Sequence, residues 1–257
     1  MTPFANSLSD SVVRFIVKIS VIVPAFNEEK LLAESLLSMK AAMAAFQKRG
    51  WNAELVVCDN NSKDRTAEIA RAAGAIVVFE PVNQIARARN AGAAAASGDW
   101  FVFVDADSRP TLELFDDVAE AIVSRRVLAG GSTVRLDEPF VIASLVTSVW
   151  NCVSRINKWV AGSFIFCSAE AFRAINGFSA ELFVAEELDL SKRLKELARQ
   201  RGQKMIILAR HPLMTSARKV HLYGPFVMGG FLLRMMFTPR RTMMNRDLCQ
   251  PWYDGKR

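Results

Sequence analysis

Between residues 18 and 104 the chain alternates short β-branched runs with longer helical stretches, and that order leaves few folds open. Lys18-Ile-Ser-Val-Ile-Val23, ended by Pro24, reads as a strand buried on both faces. Leu32, Leu36, Met39, Met43 and Phe46 then recur at helical spacing and stop before Gly50. Ala53-Glu-Leu-Val-Val-Cys58 is a second strand, after which Ser62 is placed to cap a helix running through Ile69 to Gly74. Ala75–Phe79, a helix over Ile85–Ala96 closed by Gly98, and the strand Trp100–Val104 complete the series. Helical connections of this length need right-handed crossovers, so the expected fold is α/β: a mostly parallel twisted sheet with helices on both faces. Such sheets bind ligands beyond the carboxyl ends of their strands. Three of the four strands exit into polar residues there: Asn27-Glu28-Glu29, Asp59-Asn60-Asn61 and Asp105-Ala106-Asp107.

Asp105 and Asp107 are two residues apart in extended chain, which sends both carboxylates to one side. Carboxylates so placed repel unless a cation lies near them. A hard divalent ion, Mg²⁺ or Mn²⁺, suits oxygen ligands and keeps positions open for substrate phosphates. A D-x-D triplet also occurs in surface turns, but Phe101-Val-Phe-Val104 leads into this one from the core.

Later in the chain, Glu186 and Glu187 open a helix with apolar Leu190, Leu194, Leu197 and Ala198 before Gly202. Acids in a first helical turn also satisfy the macrodipole, so the pattern alone fits a structural role as well as a chemical one. Met205–Leu208 is strand-like. Residues 201–257 hold 11 of the 33 Lys and Arg but only two of the 26 acids, Asp247 and Asp254, so the excess charge lies in the tail. A basic tail fits phosphates or an anionic membrane surface, and equally a solvated basic face. The apolar runs Phe140–Val153 and Val220–Leu233 fall short of the roughly 20 residues that cross a bilayer. The second, with Arg240, Arg241, Arg246 and Trp252 behind it, could lie in the membrane interface or cover the core. Cys58, Cys152, Cys167 and Cys249 are scattered among apolar neighbours, which favours buried thiols in a reducing compartment. His211 and His221 lie far from other metal-binding types in the sequence and are expected to be structural.

Five blocks in one order give the chain a resemblance. Val21-Ile-Val-Pro-Ala-Phe-Asn-Glu-Glu29, Val57-Cys-Asp-Asn-Asn-Ser-Lys-Asp64, Ala86-Arg-Ala-Arg-Asn-Ala-Gly92, Asp105-Ala-Asp107 and Glu186-Glu-Leu-Asp-Leu190 resemble family 2 glycosyltransferases of the GT-A fold over about residues 18–200. The resemblance implies a Rossmann-like nucleotide-binding half joined to an acceptor half. It implies that Pro24, Ala25, Phe26, Asn27 and Glu28 line a nucleotide pocket and that Asp59 accepts from a uracil-type base. Arg87 and Arg89 become candidates for base or phosphate, the solvent-facing alternative staying open. Asp105 would lie nearer the ribose, and Asp107, with Asp105, at a Mn²⁺ or Mg²⁺ ion on the diphosphate. Family members often carry Glu-Asp where this chain has Glu186-Glu187; either carboxylate could be the general base, with Glu187 favoured. Arg218 and Lys219 could reach the diphosphate or a lipid phosphate. Gly162–Ser168 resembles the strand forming the acceptor-side wall. No Q-x-x-R-W motif is present, which favours one transfer over polymer synthesis.

The expected function is thus metal-dependent, inverting transfer from a nucleotide sugar to a hydroxyl or phosphate of a lipid, polyprenyl, glycan or small-molecule acceptor, with no nucleic-acid partner. A sugar-nucleotide pyrophosphorylase would normally show a Gly-rich, basic loop after the first strand, and Pro24–Glu28 is neither. A non-catalytic nucleotide- or membrane-binding module of the same fold would be marked by loss of Asp107 or of both glutamates, which are present. The expected organisation is an extension over 1–17, a catalytic domain over 18–210 and a basic, partly apolar tail over 211–257, in the cytoplasm or at the inner face of its membrane.

Overall fold

The computed structural model describes residues 16–138, 141–218, 222, 243–249 and 253. The elements are β1 (Lys18–Ala25), α1 (Leu32–Ala42), α2 (Ala44–Gln47), β2 (Asn52–Asp59), α3 (Thr66–Ala72), β3 (Ile76–Phe79), α4 (Ile85–Ala95), β4 (Trp100–Val104), β5 (Ser108–Arg109), α5 (Leu112–Val123), β6 (Val127–Leu136), α6 (Val141–Asn157), β7 (Phe164–Ser168), α7 (Ala169–Ala174), α8 (Glu186–Gln200) and β8 (Lys204–Thr215), with a 3-10 turn over Arg246–Cys249. One sheet takes the strands in the order β3-β2-β1-β4-β7-β6-β8-β5. As the helical crossovers require, β3, β2, β1 and β4 are parallel. β7 runs antiparallel to both β4 and β6, joining this half to the parallel pair β6 and β8.

Helices cover both faces because the strands are apolar on both. Leu32, Leu36, Met39 and Phe46 pack with Phe115 and Val118 against Val21, Val23, Val102 and Val104. On the other face Ala86, Phe172, Leu190 and Leu194 meet Ile22, Val56, Phe101 and Phe103. The small residues of α4 bring it close to the sheet: a Cβ on Gly92 would fall 2.6 Å from Ile22. That close seat lets Arg89 on the same helix reach the strand ends.

Several local expectations change. β1 continues through Pro24 and Ala25, since its pairing with β4 has ended at Ile22 and proline there interrupts no ladder to β4. The 32–46 helix divides at Met43 into α1 and α2. Ser62 does not cap α3, which begins at Thr66. Asp64 serves that turn, accepting from the Thr66 backbone N–H at 3.0 Å, while the Ser62 hydroxyl accepts from the Asn27 N–H. β8 runs past residue 210 to Thr215, so the sheet extends into the region expected to be tail. Of the four free cysteines, Cys58, Cys167 and Cys249 are buried as expected, whereas Cys152 is exposed on α6. Among the described residues no helix is long and apolar enough to cross a membrane. The run Val220–Leu233 is outside the described residues except for Leu222, and Arg240, Arg241, Trp252 and His221 are also outside them.

Candidate active site

The exits of β1 and β2 are tied to each other before they meet any ligand. Asn27, at φ 52°, accepts from the Lys63 N–H at 2.8 Å, and the Glu28 N–H donates to the Thr66 hydroxyl at 2.8 Å. Asp64 accepts from the Glu29 N–H at 3.1 Å. Burial works to raise the Asp64 pKa, but the Thr66 and Glu29 donors hold it below the ordinary carboxylate value. Two short loops thereby form one rigid wall.

That wall faces a cleft lined by Pro24, Ala25, Phe26 and Glu28 from β1 and its exit, and by Asp105, Ala106 and Asp107 from the exit of β4. Pro24, Ala25, Phe26, Glu28, Asp105 and Asp107 therefore meet where the sequence places them. Asn27 and Asp59 stand behind the lining. Asn27 links the two loops, and Asp59 accepts from the Ser62 N–H at 3.0 Å because it closes the turn at the end of β2. Asn60 takes the lining position next to it, braced by Nδ2 bonds to the Glu80 and Val82 carbonyls at 3.1 and 2.6 Å.

Asn83, Ile85 and Tyr253 complete the wall, and none of them carries a sequence signal for a site. Tyr253 is buried, donates its hydroxyl to the Phe183 carbonyl at 2.6 Å and packs edge-on to the Phe183 ring. The Phe183 N–H in turn donates to the Met243 carbonyl at 2.7 Å. The far end of the chain thus braces the loop leading into α8.

The two arginines expected at base or phosphate go elsewhere. Arg87 donates to Glu80 at 3.1 Å on the partly exposed side of α4. Arg89 is 1% exposed and lies beneath the cleft rather than in it. Its Nη1 donates to Glu186 at 2.5 Å, and its Nη2 to Asp105 at 3.0 Å and to the Gly162 carbonyl at 2.7 Å. The guanidinium also sits 5.2 Å from the centre of the Phe178 ring. Removal from water makes such a fork costly unless it is paired, and two carboxylates and a carbonyl pair it. Arg89 is therefore the joint between the D-x-D strand exit and the start of α8.

This joint separates the two glutamates. Glu186 is buried and spends its charge on Arg89. Glu187 is only partly buried and pairs directly with no cation among the described residues. Burial, then the neighbouring Glu186 charge, pushes the Glu187 carboxyl up to about 8. Burial raises Glu186 as well, against the pull of Arg89. Ala185, left-handed at φ 59°, precedes α8 and sets the direction from which both side chains leave. The Gly162 backbone passes so close that a Cβ there would lie 3.6 Å from the Glu187 carboxyl carbon.

Arg218, just after β8, enters the same cleft. It forms a bidentate pair with Glu28 at 2.8 and 2.9 Å and stands 3.5 Å from Asp107. Lys219 lies outside the described residues. Asp105 and Asp107 at the exit of β4 and Glu28 at the neighbouring exit of β1 supply hard oxygen donors, the type that Mg²⁺ or Mn²⁺ prefers. Among the described residues no three acidic, histidine or cysteine side chains converge as a ready-made metal cage. His211 is instead bonded to Asp117 at 3.0 Å, on the α5 side of β8.

Residues 20–166, more than half of the 257, match the model of Glycosyl transferase family 2. The chain belongs to that family. A dolichol-phosphate mannosyltransferase from Pyrococcus furiosus is 35% identical over 123 residues, 45% of this chain and 33% of the relative. An uncharacterized glycosyltransferase of Mycobacterium tuberculosis, Rv0539, is 40% identical over 89 residues, 35% of this chain and 36% of the relative. The chain thus matches only about a third of the length of these two relatives. Among solved structures, the mannosyltransferase PcManGT of Pyrobaculum calidifontis, in complex with GDP-Man and Mn²⁺, superposes with a TM-score of 0.67 at 18% identity, over 94% of this chain and 69% of that one. S. aureus TarS 1–349 gives 0.62 at 20% identity, over 93% and 78%. Glucosyl-3-phosphoglycerate synthase from Mycobacterium tuberculosis, with Mn²⁺, uridine diphosphate and phosphoglyceric acid, gives 0.59 at 20% identity, over 90% and 80%. These likenesses establish the fold, which is the GT-A arrangement of a curled, mostly parallel sheet flanked by helices. The matched family segment ends within β7, so α8 and its glutamates lie beyond it.

Proposed function

We propose that this family 2 chain is an inverting, divalent-ion-assisted glycosyltransferase that moves one sugar from a nucleoside-diphosphate sugar to an acceptor hydroxyl. The carrying observation is the joint at Arg89, whose Nη2 holds Asp105 and whose Nη1 holds Glu186, leaving Glu187 beside them with no ion-pair partner among the described residues. The complexes of the structural neighbours with UDP or GDP-Man and Mn²⁺ support a nucleotide-sugar donor and a divalent ion here.

In this reading the donor nucleotide lies along Pro24–Glu28, Asn60 and Asn83. Asp107, with Asp105, would hold the ion, which supplies positive charge to the departing diphosphate. Arg218 can add a second positive group on the same side when it leaves Glu28 for phosphate. Glu187 accepts the proton of the acceptor hydroxyl as its oxygen attacks the anomeric carbon. The new C–O bond forms opposite the diphosphate, the bond to the diphosphate breaks with its electron pair, and the configuration inverts. A carboxyl raised to about 8 is a stronger base than an ordinary glutamate, which suits a hydroxyl acceptor. A phosphate acceptor is already ionised and needs no such group. The acceptor hydroxyl can belong to a lipid, a glycan or a small molecule, and the phosphoglyceric acid bound in one structural neighbour is an example of the last.

The test is release of nucleoside diphosphate from a panel of uridine and guanosine sugars with Mn²⁺ or Mg²⁺. At least one donor should be consumed, and Asp107→Ala should slow that reaction at least about a hundredfold. Consumption of none, across the panel, would support the non-catalytic module instead; an unchanged rate in Asp107→Ala would remove the ion-binding role of the D-x-D exit.

A further inference from the structure

The outward side of α6 takes no part in the proposed transfer chemistry. It carries Leu145 at 66% exposure, Val146 at 55%, Val149 at 57% and Ile156 at 74%, with Cys152 exposed among them. Positions 145, 149, 152 and 156 are spaced by four, three and four residues, so they form one stripe along the helix. The opposite side is fixed to the sheet. Asn151 exchanges hydrogen bonds with the Val134 backbone at 3.0 and 2.9 Å, and the buried Ser154 donates to the Trp159 carbonyl at 2.6 Å. With the inner side anchored, the apolar stripe cannot roll inward.

Two properties choose the occupant. Five exposed side chains are far fewer than the roughly 20–30 residues a side that a stable protein interface uses, so a second copy or another protein would be held weakly. A bilayer needs no matching partner surface. Charge points the same way: α6 contains no acidic residue, and Arg155 and Lys158 stand exposed at its end. The groove beside the stripe holds Arg135, Arg155 and Lys158 against Asp137 and Glu138, which leaves it net positive, and Arg155 and Lys158 are the cations that adjoin the apolar stripe. Apolar residues flanked by cations match acyl chains beneath anionic headgroups. The helix is too short and too polar on its inner side to span the membrane.

We propose that α6 docks this protein on an anionic lipid bilayer, with Leu145, Val149 and Ile156 entering the acyl boundary and Arg155 and Lys158 at the headgroups. Five residues beyond the end of α6 the chain reaches Gly162, whose carbonyl accepts from Arg89 and where an added Cβ would lie 3.6 Å from the Glu187 carboxyl carbon. Docking there would bring the acceptor side of the cleft to the lipid surface.

Flotation of the full chain with phosphatidylcholine vesicles, with and without phosphatidylglycerol, tests this. The wild type should rise with the anionic vesicles and less so in high salt. The double variant Leu145→Glu/Val149→Glu should lower the bound fraction at least about tenfold. Arg155→Gln/Lys158→Gln should abolish the preference for anionic lipid. Circular dichroism and the thermal unfolding midpoint in lipid-free solution should be unchanged in both variants, which shows that they fold. A wild type that does not float overturns the proposal, as does equal flotation of the glutamate variant. So does a lipid-free wild-type dimer that the glutamate variant dissociates. None of these outcomes depends on sugar transfer, so failure here leaves the transferase reading intact.

Discussion

Glu54 and Glu187 are the same side chain at opposite ends of the sheet, and their surroundings drive them apart. Glu54, near the start of β2, is opposed by burial yet accepts from Ser20 at 2.6 Å and the Ser97 N–H at 2.7 Å, and pairs with Lys18 at 2.7 Å. Those donors outweigh burial and bring it down to about 2. At the ligand end Glu187 meets burial plus the Glu186 charge, and it rises to about 8. The number of donors around the carboxylate decides the sign. One end of the sheet keeps an ionised, satisfied group that stabilises; the other keeps a carboxyl that holds its proton to higher pH.

Removing Arg89 should give the largest change, because it leaves Asp105 and Glu186 buried without their shared partner. Arg89→Met should cost about 3–5 kcal/mol in denaturant unfolding. In whatever fraction folds, any pH limb that Glu187 gives to turnover should move upward, since a favourable positive neighbour is lost.

The other end should behave in the reverse way. Glu54→Gln is expected to lose on the order of 1–3 kcal/mol at neutral pH, because the ionised carboxylate that accepts from Ser20 and Ser97 and pairs with Lys18 is gone. Its folded pKa lies below the unfolded one, so this stability is present above about pH 4.5 and fades as pH falls towards 2. Chemical denaturation of both proteins at pH 7 and near pH 2 should show the gap closing, with turnover per folded molecule unchanged. Glu187 carries the opposite sign, and its ionisation lowers stability as pH rises from about 4.5 to about 8.

The smallest effect belongs to Tyr253→Phe, which loses the bond to the Phe183 carbonyl but keeps the ring in the cleft wall. About 1 kcal/mol of stability and a few-fold rise in KM for the nucleotide sugar are expected, with kcat nearly unchanged. A large fall in kcat would instead tie the hydroxyl to the reaction.

Much of this division was legible in the chain. Crossover helices and twofold-buried runs fixed the parallel half, and polar strand exits located the cleft, because both follow from local periodicity. Roles within the cleft were harder to read. Asp59 and Asn60 differ by one position, and only the turn to Ser62 decides which lines the cleft. Arg89 looks like a phosphate contact until α4 is seated on β1, which places its guanidinium between two carboxylates. Tyr253 reaches the site through long-range packing that has no period and no motif. The choice between Glu186 and Glu187 likewise rests on Arg89, 97 residues from Glu186 in sequence.

The most direct test of that choice is the pH dependence of kcat/KM for a consumed nucleotide sugar and its acceptor, in wild type and Glu187→Gln. The wild type should gain rate with rising pH and level off near pH 8, while Glu187→Gln should lose that limb and about a thousandfold in rate. A variant that kept both the limb and the rate would contradict the assignment of Glu187 as the base.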